Sequence, residues 1–402
     1  MLEVFVFATV YLGMLAGGIP GLAIDRTGVA LVGAIVLIAG ESLSPAQSWQ
    51  SIDLPTMGLL FGLMVVSAQF RLGGFYTVVT RRLATRSASP QILLGTLIAA
   101  VAVLSALLSN DIICLAMTPI LIEACSRRNL NPIPFLLGLA CAANIGSAAT
   151  LIGNPQNMLI GQRLELSFAG YAADAFLPSV FGLLITWGVI CWQFKGNWHT
   201  SQRPITASAP DFNGWQSCKG LVILAALIVA FLIAPIPREI AAMAAAGILL
   251  MSRRMGTRPM LALVDWHLLV LFGGLFVVNE AFESAGMLDR VFAVAKDLRL
   301  DLENPATLFG ATAVLSNIVS NVPATMLLLP AATHPISGLT MALSSTLAGN
   351  FIIVSSIANI IVVEQAGILG VRLTWTQHAR TGIPVTLLSL GAAVAWIWFR
   401  AQ

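Results

Sequence analysis

Apolar segments follow one another along almost the entire chain, and short polar clusters interrupt some of them. A helix needs roughly 20 apolar residues to cross the hydrocarbon core of a bilayer, and many of these segments approach that length. The pattern predicts an all-α polytopic membrane protein with about 10 spanning helices. We place these helices at residues 3–22, 27–40, 55–72, 135–161, 168–194, 220–236, 239–252, 266–286, 338–364 and 381–399.

Composition excludes a soluble globular protein. The 402 residues are 57% hydrophobic and 10% charged, with a mean hydropathy of +0.88, whereas soluble domains carry roughly 25% charged residues. The net charge of +3 gives no indication of nucleic-acid binding, because the cations fall in short loops. With the N-terminus outside, most Lys and Arg residues lie in inside loops, as the positive-inside rule requires. We therefore expect a multi-pass protein of the plasma (inner) membrane, surrounded by the lipid bilayer.

The second half of the chain repeats the first. Asp53 and Asp265 lie 212 residues apart (265 − 53), and the two Ser-Asn pairs described below are separated by 211 (320 − 109). A duplicated unit of about half the chain is typical of secondary transporters. Further residues at the 212-residue spacing are Arg26 and Arg238, Gly62 and Gly274, Phe70 and Phe282, and Gly74 and Gly286.

Loop charge and composition divide the chain into two repeats and a linker. Residues 1–194 form the first repeat, with a hairpin at 90–127 on the cytoplasmic side. Residues 220–402 form the second repeat, with a hairpin at 305–334 on the outside. The polar segment 195–219 is interpreted as a cytoplasmic linker without a motif of its own. Because the two hairpins lie on opposite sides, the repeats are predicted to be inverted copies.

A polar tip interrupts each hairpin. Ser109, Asn110 and Asp111 separate two apolar arms in the first hairpin, and Ser320 and Asn321 do so in the second. Ser and Asn are preferred helix N-caps. The second arm of each hairpin is therefore expected to begin at the tip, with free backbone N–H groups.

Two of the predicted spans, 135–161 and 338–364, contain polar breaks of the same kind. In the first, Asn154 can cap and Pro155 can open a new half-helix. Each break predicts a broken helix. The candidate substrate- or ion-binding residues in the two breaks are Asn144, Thr150, Asn154, Asn157, Asn350, Ser355, Ser356 and Asn359.

The two tips and two breaks supply four helix N-termini near the middle of the membrane. Each N-terminus carries roughly half a positive charge and unpaired N–H donors, so together they can hold an anion without an arginine. Carbonyls and Asn side chains can ligate a cation, and we expect a Na⁺ site near Asn110, Asp111 and Asn321. The alternative is that these Asn and Ser residues only cap buried helix ends. Isolated polar residues such as Ser67 are interpreted as structural.

Asp111 is the only carboxylate at a hairpin tip, because its counterpart in the second half is Val322. An acid at membrane depth is a functional candidate, here for H⁺ or Na⁺, and the alternative is a capping or salt-bridged aspartate. His267, His334 and His378 are interpreted as loop or interface residues. No cofactor is expected apart from the coupling ion.

The run from Leu108 through the first tip to Ile120, together with segment 143–157, resembles the ion transporter superfamily. Within it, the likeness is to the citrate-transporter-like permeases, which include arsenite permeases, and more distantly to the dicarboxylate/sodium symporters. The resemblance covers nearly the whole chain. It implies a scaffold and a transport domain, re-entrant hairpins, alternating access and a homodimer. The superfamily's site residues correspond to the two Ser-Asn tips and to Asn144, Asn157, Asn350 and Asn359.

These observations predict a secondary active transporter of a small anion, either inorganic such as arsenite or a carboxylate, coupled to H⁺ or Na⁺. The dicarboxylate symporters carry Ser-Asn-Thr at both tips, whereas this chain has Ser-Asn-Asp and Ser-Asn-Val. The alternative is a Na⁺/H⁺ antiporter on the same fold, with Asp111 as the exchanged site. No enzyme is predicted, because we find no HExxH motif, no nucleophile with a base and no P-loop.

Overall fold

In the computed structural model, which describes residues 1–19, 21–85, 87–200 and 205–401, the chain is folded into α-helices with two short 3-10 turns, and no strand occurs in those ranges. The helices of the first half are α1 (Leu2–Ala16), α2 (Arg26–Ala39), α3 (Pro45–Ser51), α4 (Leu54–Leu72), α5 (Phe75–Ala84), α6 (Pro90–Leu107), α7 (Asn110–Arg127), α8 (Pro132–Ser147), α9 (Pro155–Arg163) and α10 (Phe168–Gln193).

The second half has the same order of elements. Its helices are α11 (Gly214–Ile233), α12 (Arg238–Leu250), α13 (Thr257–Leu261), α14 (Trp266–Ser284), α15 (Met287–Asp297), α16 (Pro305–Val319), α17 (Asn321–Leu328), α18 (Ser337–Ala348), α19 (Ile357–Ile368) and α20 (Trp375–Ala401). A 3-10 turn at Leu329–Ala331 extends α17, and a second at Ile353–Ser355 lies between α18 and α19.

The predicted all-helical membrane fold is confirmed, with changes in helix length. Six helices in the described residues are long and apolar enough to cross a membrane: α4, α6, α10, α11, α14 and α20. The predicted first span 3–22 is too long, because α1 ends at Ala16. The last span was predicted to begin at 381, but α20 begins at Trp375, and within its first turn His378 alone is buried.

Two equivalent amphipathic helices, α5 and α15, were not predicted. Their mixed polar and apolar residues lack the continuous apolar run that identifies a span. Each begins after a glycine in the left-handed conformation, Gly74 (φ 68°) and Gly286 (φ 67°), which glycine adopts without a steric penalty. At Gly74 a Cβ would lie 2.5 Å from the carbonyl oxygen of Asp211, so a side chain cannot be accommodated there.

The predicted linker 195–219 is packed against the first half and ends as a helix. Its residues from Gly214 onward belong to α11. The Asn131 N–H donates to the carbonyl of Trp198 at 2.9 Å, and the Asn213 N–H donates to the carbonyl of Gly73, also at 2.9 Å. Residues 201–204 of the predicted linker lie outside the described residues.

The helix contacts between the two halves come in equivalent pairs. Helix α4 packs against α12, and its counterpart α14 packs against α2. In the same way α7 packs against α19, and α17 packs against α9. A two-fold relation between the repeats produces such paired contacts. It brings the second arm of each hairpin against the broken helix of the other half.

The close approach of α14 to α2 depends on Gly274, and this leads to a stability prediction. A Cβ at Gly274 would lie 2.8 Å from the main-chain carbonyl carbon of Ala30. Gly274→Val is expected to destabilise the folded protein by about 3 kcal/mol, because backbone cannot yield as a side chain can. The measurement is the thermal midpoint of the detergent-solubilised protein.

Gly273→Val is the matched control for this prediction. Gly273 is the preceding residue of α14, and a Cβ there has no heavy atom within 4 Å. Its helix-propensity change is the same, so the thermal midpoint should stay close to that of the wild type. Equal midpoints for the two variants would contradict the importance of the α14–α2 contact.

Candidate functional site

The two broken helices meet through the side chain of Asn144. Its Nδ2 donates to Oδ1 of Asn350 at 2.9 Å and to Oδ1 of Asn359 at 3.1 Å. Its Oδ1 accepts from the hydroxyl of Ser356 at 2.8 Å. All four residues are buried. One amide from the first break therefore holds three residues of the second.

A second set of contacts joins Asn154 and Asn157 of the first break to Thr346 of α18. Nδ2 of Asn154 donates to the hydroxyl of Thr346 at 3.2 Å, and that hydroxyl donates to Oδ1 of Asn157 at 3.3 Å. Asn154 also caps α9, since its side chain accepts from the N–H of Asn157 at 2.9 Å. The predicted start of this half-helix at Pro155 is confirmed.

Asn157 and Asn359 stabilise the unwound segment of their own half. Nδ2 of Asn157 donates to the carbonyl of Thr150 at 3.0 Å. Nδ2 of Asn359 donates to the carbonyls of Gly349 at 2.8 Å and Ile352 at 3.2 Å. Backbone carbonyls that leave a helix inside a membrane need such partners. The Nδ2 atoms of these two amides therefore serve the backbone of the breaks.

The first hairpin tip lies against the first break and against α4. Helix α7 begins at Asn110, as predicted, but Ser109 makes no side-chain cap. Instead the Ser109 N–H donates to the hydroxyl of Ser67 at 3.0 Å, and the hydroxyl of Thr150 donates to the carbonyl of Ala106. Ser67 is thus a contact residue of the tip. This contact to a backbone N–H is a structural role, as interpreted for Ser67.

The second hairpin tip is contacted by Tyr11 of α1. Ser320 has φ 81° and ψ 160°, and α17 begins at Asn321. The hydroxyl of Tyr11 donates to Oδ1 of Asn279 at 2.9 Å and to the carbonyl of Pro323 at 3.4 Å. Asn279 lies 212 residues after Ser67 (279 − 67), but it is linked to its tip through Tyr11, whereas Ser67 contacts the first tip directly.

The predicted residue Ser355 belongs to the second hairpin as much as to the break. Its hydroxyl donates to Oδ1 of Asn317 on α16 at 2.6 Å. Asn321 lies next to Gly349, where an added Cβ would be 3.2 Å from Nδ2 of Asn321. The second tip and the second break are therefore in direct contact.

Three buried amide atoms in this region have no hydrogen-bond partner among the described residues. They are Oδ1 of Asn110, Oδ1 of Asn321 and Nδ2 of Asn350. The first two accept hydrogen bonds or ligate a cation, and the third donates. Buried polar atoms are normally paired, so an unpaired set at two tips and a break is typical of a ligand site. No group of three or more His, Cys, Asp or Glu residues suited to a metal occurs in the described part of the chain.

A cavity of about 240 Å³ opens beside the first tip. It is lined by Ser109 and Asp111 of the tip and by Asn154 at the start of α9. Arg71 at the end of α4 and Asp265 at the start of α14 also line it. One carboxylate oxygen of Asp265 accepts from the N–H of Leu268 at 2.9 Å, because Asp265 caps α14. The cavity therefore contains two carboxylates, of which only Asp111 was predicted as a site residue.

A second cavity of about 290 Å³ occupies the equivalent place in the other half. There the position of Arg71 is taken by Glu283, 212 residues later (283 − 71). Arg163 also lines it, with Nε 3.3 Å from a carboxylate oxygen of Asp53, the counterpart of Asp265. The other positions shared by the two cavities are Met64 and Phe276, Leu115 and Met326, Ile361 and Leu159, and Leu263 and Ser51.

The interpretation of His378 as a loop or interface residue is wrong. His378 lies in the first turn of α20 and is only 1% exposed. Its Nε2 is 3.2 Å from the carbonyl oxygen of Asn350. The error arose because the apolar run of the last span begins after it. Sequence reasoning also missed Tyr171, whose hydroxyl donates to the carbonyl of Ala148 at 2.8 Å.

Comparison with known proteins gives consistent relatives. The family described as Citrate transporter matches residues 10–347. The silicon efflux transporter LSI3 of Oryza sativa subsp. japonica is 28% identical over 92% of this chain and 92% of its own length. The inner membrane protein YbiR of Escherichia coli (strain K12) is 30% identical over 88% of this chain and 91% of its own length.

A solved structure shares the fold. The YdaH transporter of Alcanivorax borkumensis superposes with a TM-score of 0.57 over 100% of this chain and 98% of its own, at 14% sequence identity. At this level of identity the likeness concerns the arrangement of helices alone.

Proposed function

Because the chain belongs to the citrate transporter family, as a multi-pass membrane transporter, we propose that it is a secondary active transporter that moves a small anion, inorganic or carboxylate, coupled to H⁺ or Na⁺ by alternating access. The observation that carries the proposal is the set of three unpaired buried amide atoms at the two tips and the second break. The two Oδ1 atoms suit a cation, and the Nδ2 suits an anion or a hydroxyl group.

The arrangement of charge supports coupling to a cation. The amide atoms are neutral, so a small anion can be desolvated there without an ion pair, and the helix N-termini add partial positive charge. Asp111 adds a carboxylate at the first tip, in the cavity that also contains Asp265. A proton or Na⁺ on Asp111 removes the repulsion that this carboxylate exerts on an approaching anion.

The test is flux into proteoliposomes that contain the purified full chain. The substrates are citrate, succinate, sulfate, arsenite and silicic acid, the last because one relative is a silicon efflux transporter. Each is supplied under an imposed pH or Na⁺ gradient. The proposal expects one substrate to accumulate only when the coupling gradient is present, and protein-free liposomes give the background.

Asp111→Asn is expected to uncouple this flux from the gradient. The amide keeps the size of the side chain but cannot take up a proton or balance the charge of Na⁺. Asp297→Asn, at the exposed end of α15, is the matched control and should transport as the wild type does. Accumulation by Asp111→Asn equal to that of the wild type would contradict the role of Asp111.

A Na⁺/H⁺ antiporter is the second candidate, and one specific observation favours it. Asp111 and Asp265 line the same cavity. Two carboxylates in one site repel each other, which favours binding of H⁺ or Na⁺ there, and these two cations compete for the same oxygens. In this case none of the five substrates moves, and external Na⁺ collapses an imposed pH gradient. That outcome would replace the anion carrier by the antiporter.

A further inference from the structure

His378 makes a specific contact with the second break. Its Nε2 lies 3.2 Å from the main-chain carbonyl oxygen of Asn350. A carbonyl oxygen only accepts hydrogen bonds, so Nε2 carries a hydrogen and donates. Close packing reinforces this contact, because a Cβ at Gly382, one turn further along α20, would lie 2.2 Å from the same carbonyl oxygen. Helix α20 is therefore pressed against the main chain of Asn350.

The first half makes the same contact with a different side chain. The hydroxyl of Tyr171 on α10 donates to the carbonyl of Ala148 at 2.8 Å. Ala148 precedes Asn350 by 202 residues (350 − 148), the spacing that also separates Asn157 from Asn359 (359 − 157). Each closing helix thus holds the carbonyl at the equivalent position of its own broken helix.

The held residue differs between the halves. Ala148 has no polar side chain, whereas the side chain of Asn350 has a fixed orientation, since its Oδ1 accepts from Asn144 at 2.9 Å. Its Nδ2 has no hydrogen-bond partner among the described residues, although Asn350 is fully buried. His378 holds the main chain of Asn350, and Asn144 holds its Oδ1. Nδ2 is therefore the amide atom of Asn350 that is left to bind a ligand.

We propose that His378 is a positioning residue for transport: its N–H bond to the Asn350 carbonyl holds the Asn350 amide so that Nδ2 donates to the transported anion or hydroxylated solute. This inference rests on the proposed function and assigns the donor of that site to the second half alone. His378 itself does not contact the substrate. Loss of its N–H lets the segment 349–356 move and lowers substrate affinity.

The elements packed against α20 place no carboxylate partner on the His378 ring among the described residues. Helix α18 and the 3-10 turn Ile353–Ser355 contain no ionisable residue, and α8 contributes only Cys141. On α10 the ionisable residues are Tyr171, Asp174 and Cys191, of which Asp174 pairs with Arg400 at the far end of α20. Arg380 of α20 is exposed. No carboxylate among the described residues of these elements pairs with the ring.

The test compares His378→Leu with His378→Gln in proteoliposomes. Leu removes the donor, whereas the Gln amide retains an N–H at a similar reach. We expect the KM of His378→Leu to rise about tenfold with the maximal rate of the folded protein little changed, which is the result of losing uniform substrate binding. His378→Gln should restore the KM to near the wild-type value. Ser389→Ala, a buried position of α20 that bonds only within its own helix, is the control.

A second measurement does not depend on transport. Hydrogen–deuterium exchange of segment 349–356 should be faster in His378→Leu than in the wild type and should return to the wild-type rate in His378→Gln. An unchanged exchange rate in His378→Leu, or an unchanged KM, would overturn the inference. If the wild type moves no anion at all, the proposed function fails, and the exchange rate still decides whether His378 positions the segment.

Discussion

Asn110→Ala and Asn321→Ala are each expected to lower transport by about 100-fold or more while the protein stays folded. Loss of a supporting contact alone typically costs 10–100-fold in metal affinity, and these two side chains are candidates for direct contact. Oδ1 of each residue is buried and has no partner among the described residues. Alanine therefore removes a ligand atom without breaking a hydrogen bond to Oδ1 within the protein.

The measurement for this prediction is the initial rate of flux, beside the thermal midpoint in detergent. Both variants should keep the midpoint of the wild type within a few degrees, because an unpaired buried oxygen contributes no stability. Asn197→Ala, at an exposed position after α10, controls for the removal of an asparagine. Normal flux in both tip variants would remove the tips from the site.

Asn144→Leu is expected to destabilise the folded protein strongly, beyond any effect on transport. Three hydrogen bonds of Asn144 join the broken helices, to Asn350, Asn359 and Ser356. Each buried group left without a partner costs about 1–3 kcal/mol, so the folded state should lose about 3 kcal/mol or more. Such a loss is a large part of the stability of a typical protein. The measurement is the yield of monodisperse protein and its thermal midpoint.

Thr386→Val provides the control for Asn144→Leu. Thr386 is also buried, but its hydroxyl has no partner among the described residues. Removing this hydroxyl breaks no bond, and the thermal midpoint should not fall. A wild-type midpoint for Asn144→Leu would show that the two broken helices are held together by apolar packing rather than by the amide network.

The four helix starts at the tips and breaks could be predicted because their causes are local. Ser, Asn and Pro in an apolar run favour a cap or a first turn wherever the run lies. Helices α7, α9, α17 and α19 begin at these positions, and of the four residues before them Asn154 alone makes a side-chain cap. The same locality explains why α5 and α15 were missed, since an amphipathic segment of 10 or 11 residues has no length signal for a span.

The partners of the site residues could not be predicted, because they come from distant parts of the chain. Ser67 contacts the first tip from α4, and Tyr11 of α1 links the second tip to Asn279. Thr346 joins Asn154 to Asn157. The repeat offers a partial signal, since Ser67 and Asn279 are both polar at the 212-residue spacing. It does not reveal that His378 corresponds to Tyr171, because the spacing there is 207 (378 − 171) and the side chains differ.

The sequence by itself determined the class of the protein, the repeat and the places where the helices are interrupted, because hydrophobic length, composition and capping residues act within a few turns of the chain. Only the tertiary structure decided which polar side-chain atoms form hydrogen bonds within the described residues and which are left to bind a ligand. Asn157 and Asn359 stabilise unwound backbone, whereas Asn110, Asn321 and Asn350 each keep one side-chain atom without a partner in the described part of the chain. That difference depends on hydrogen bonds between residues about 200 positions apart, such as Asn144 to Asn350, and a buried amide satisfies whichever neighbour the packing brings to it.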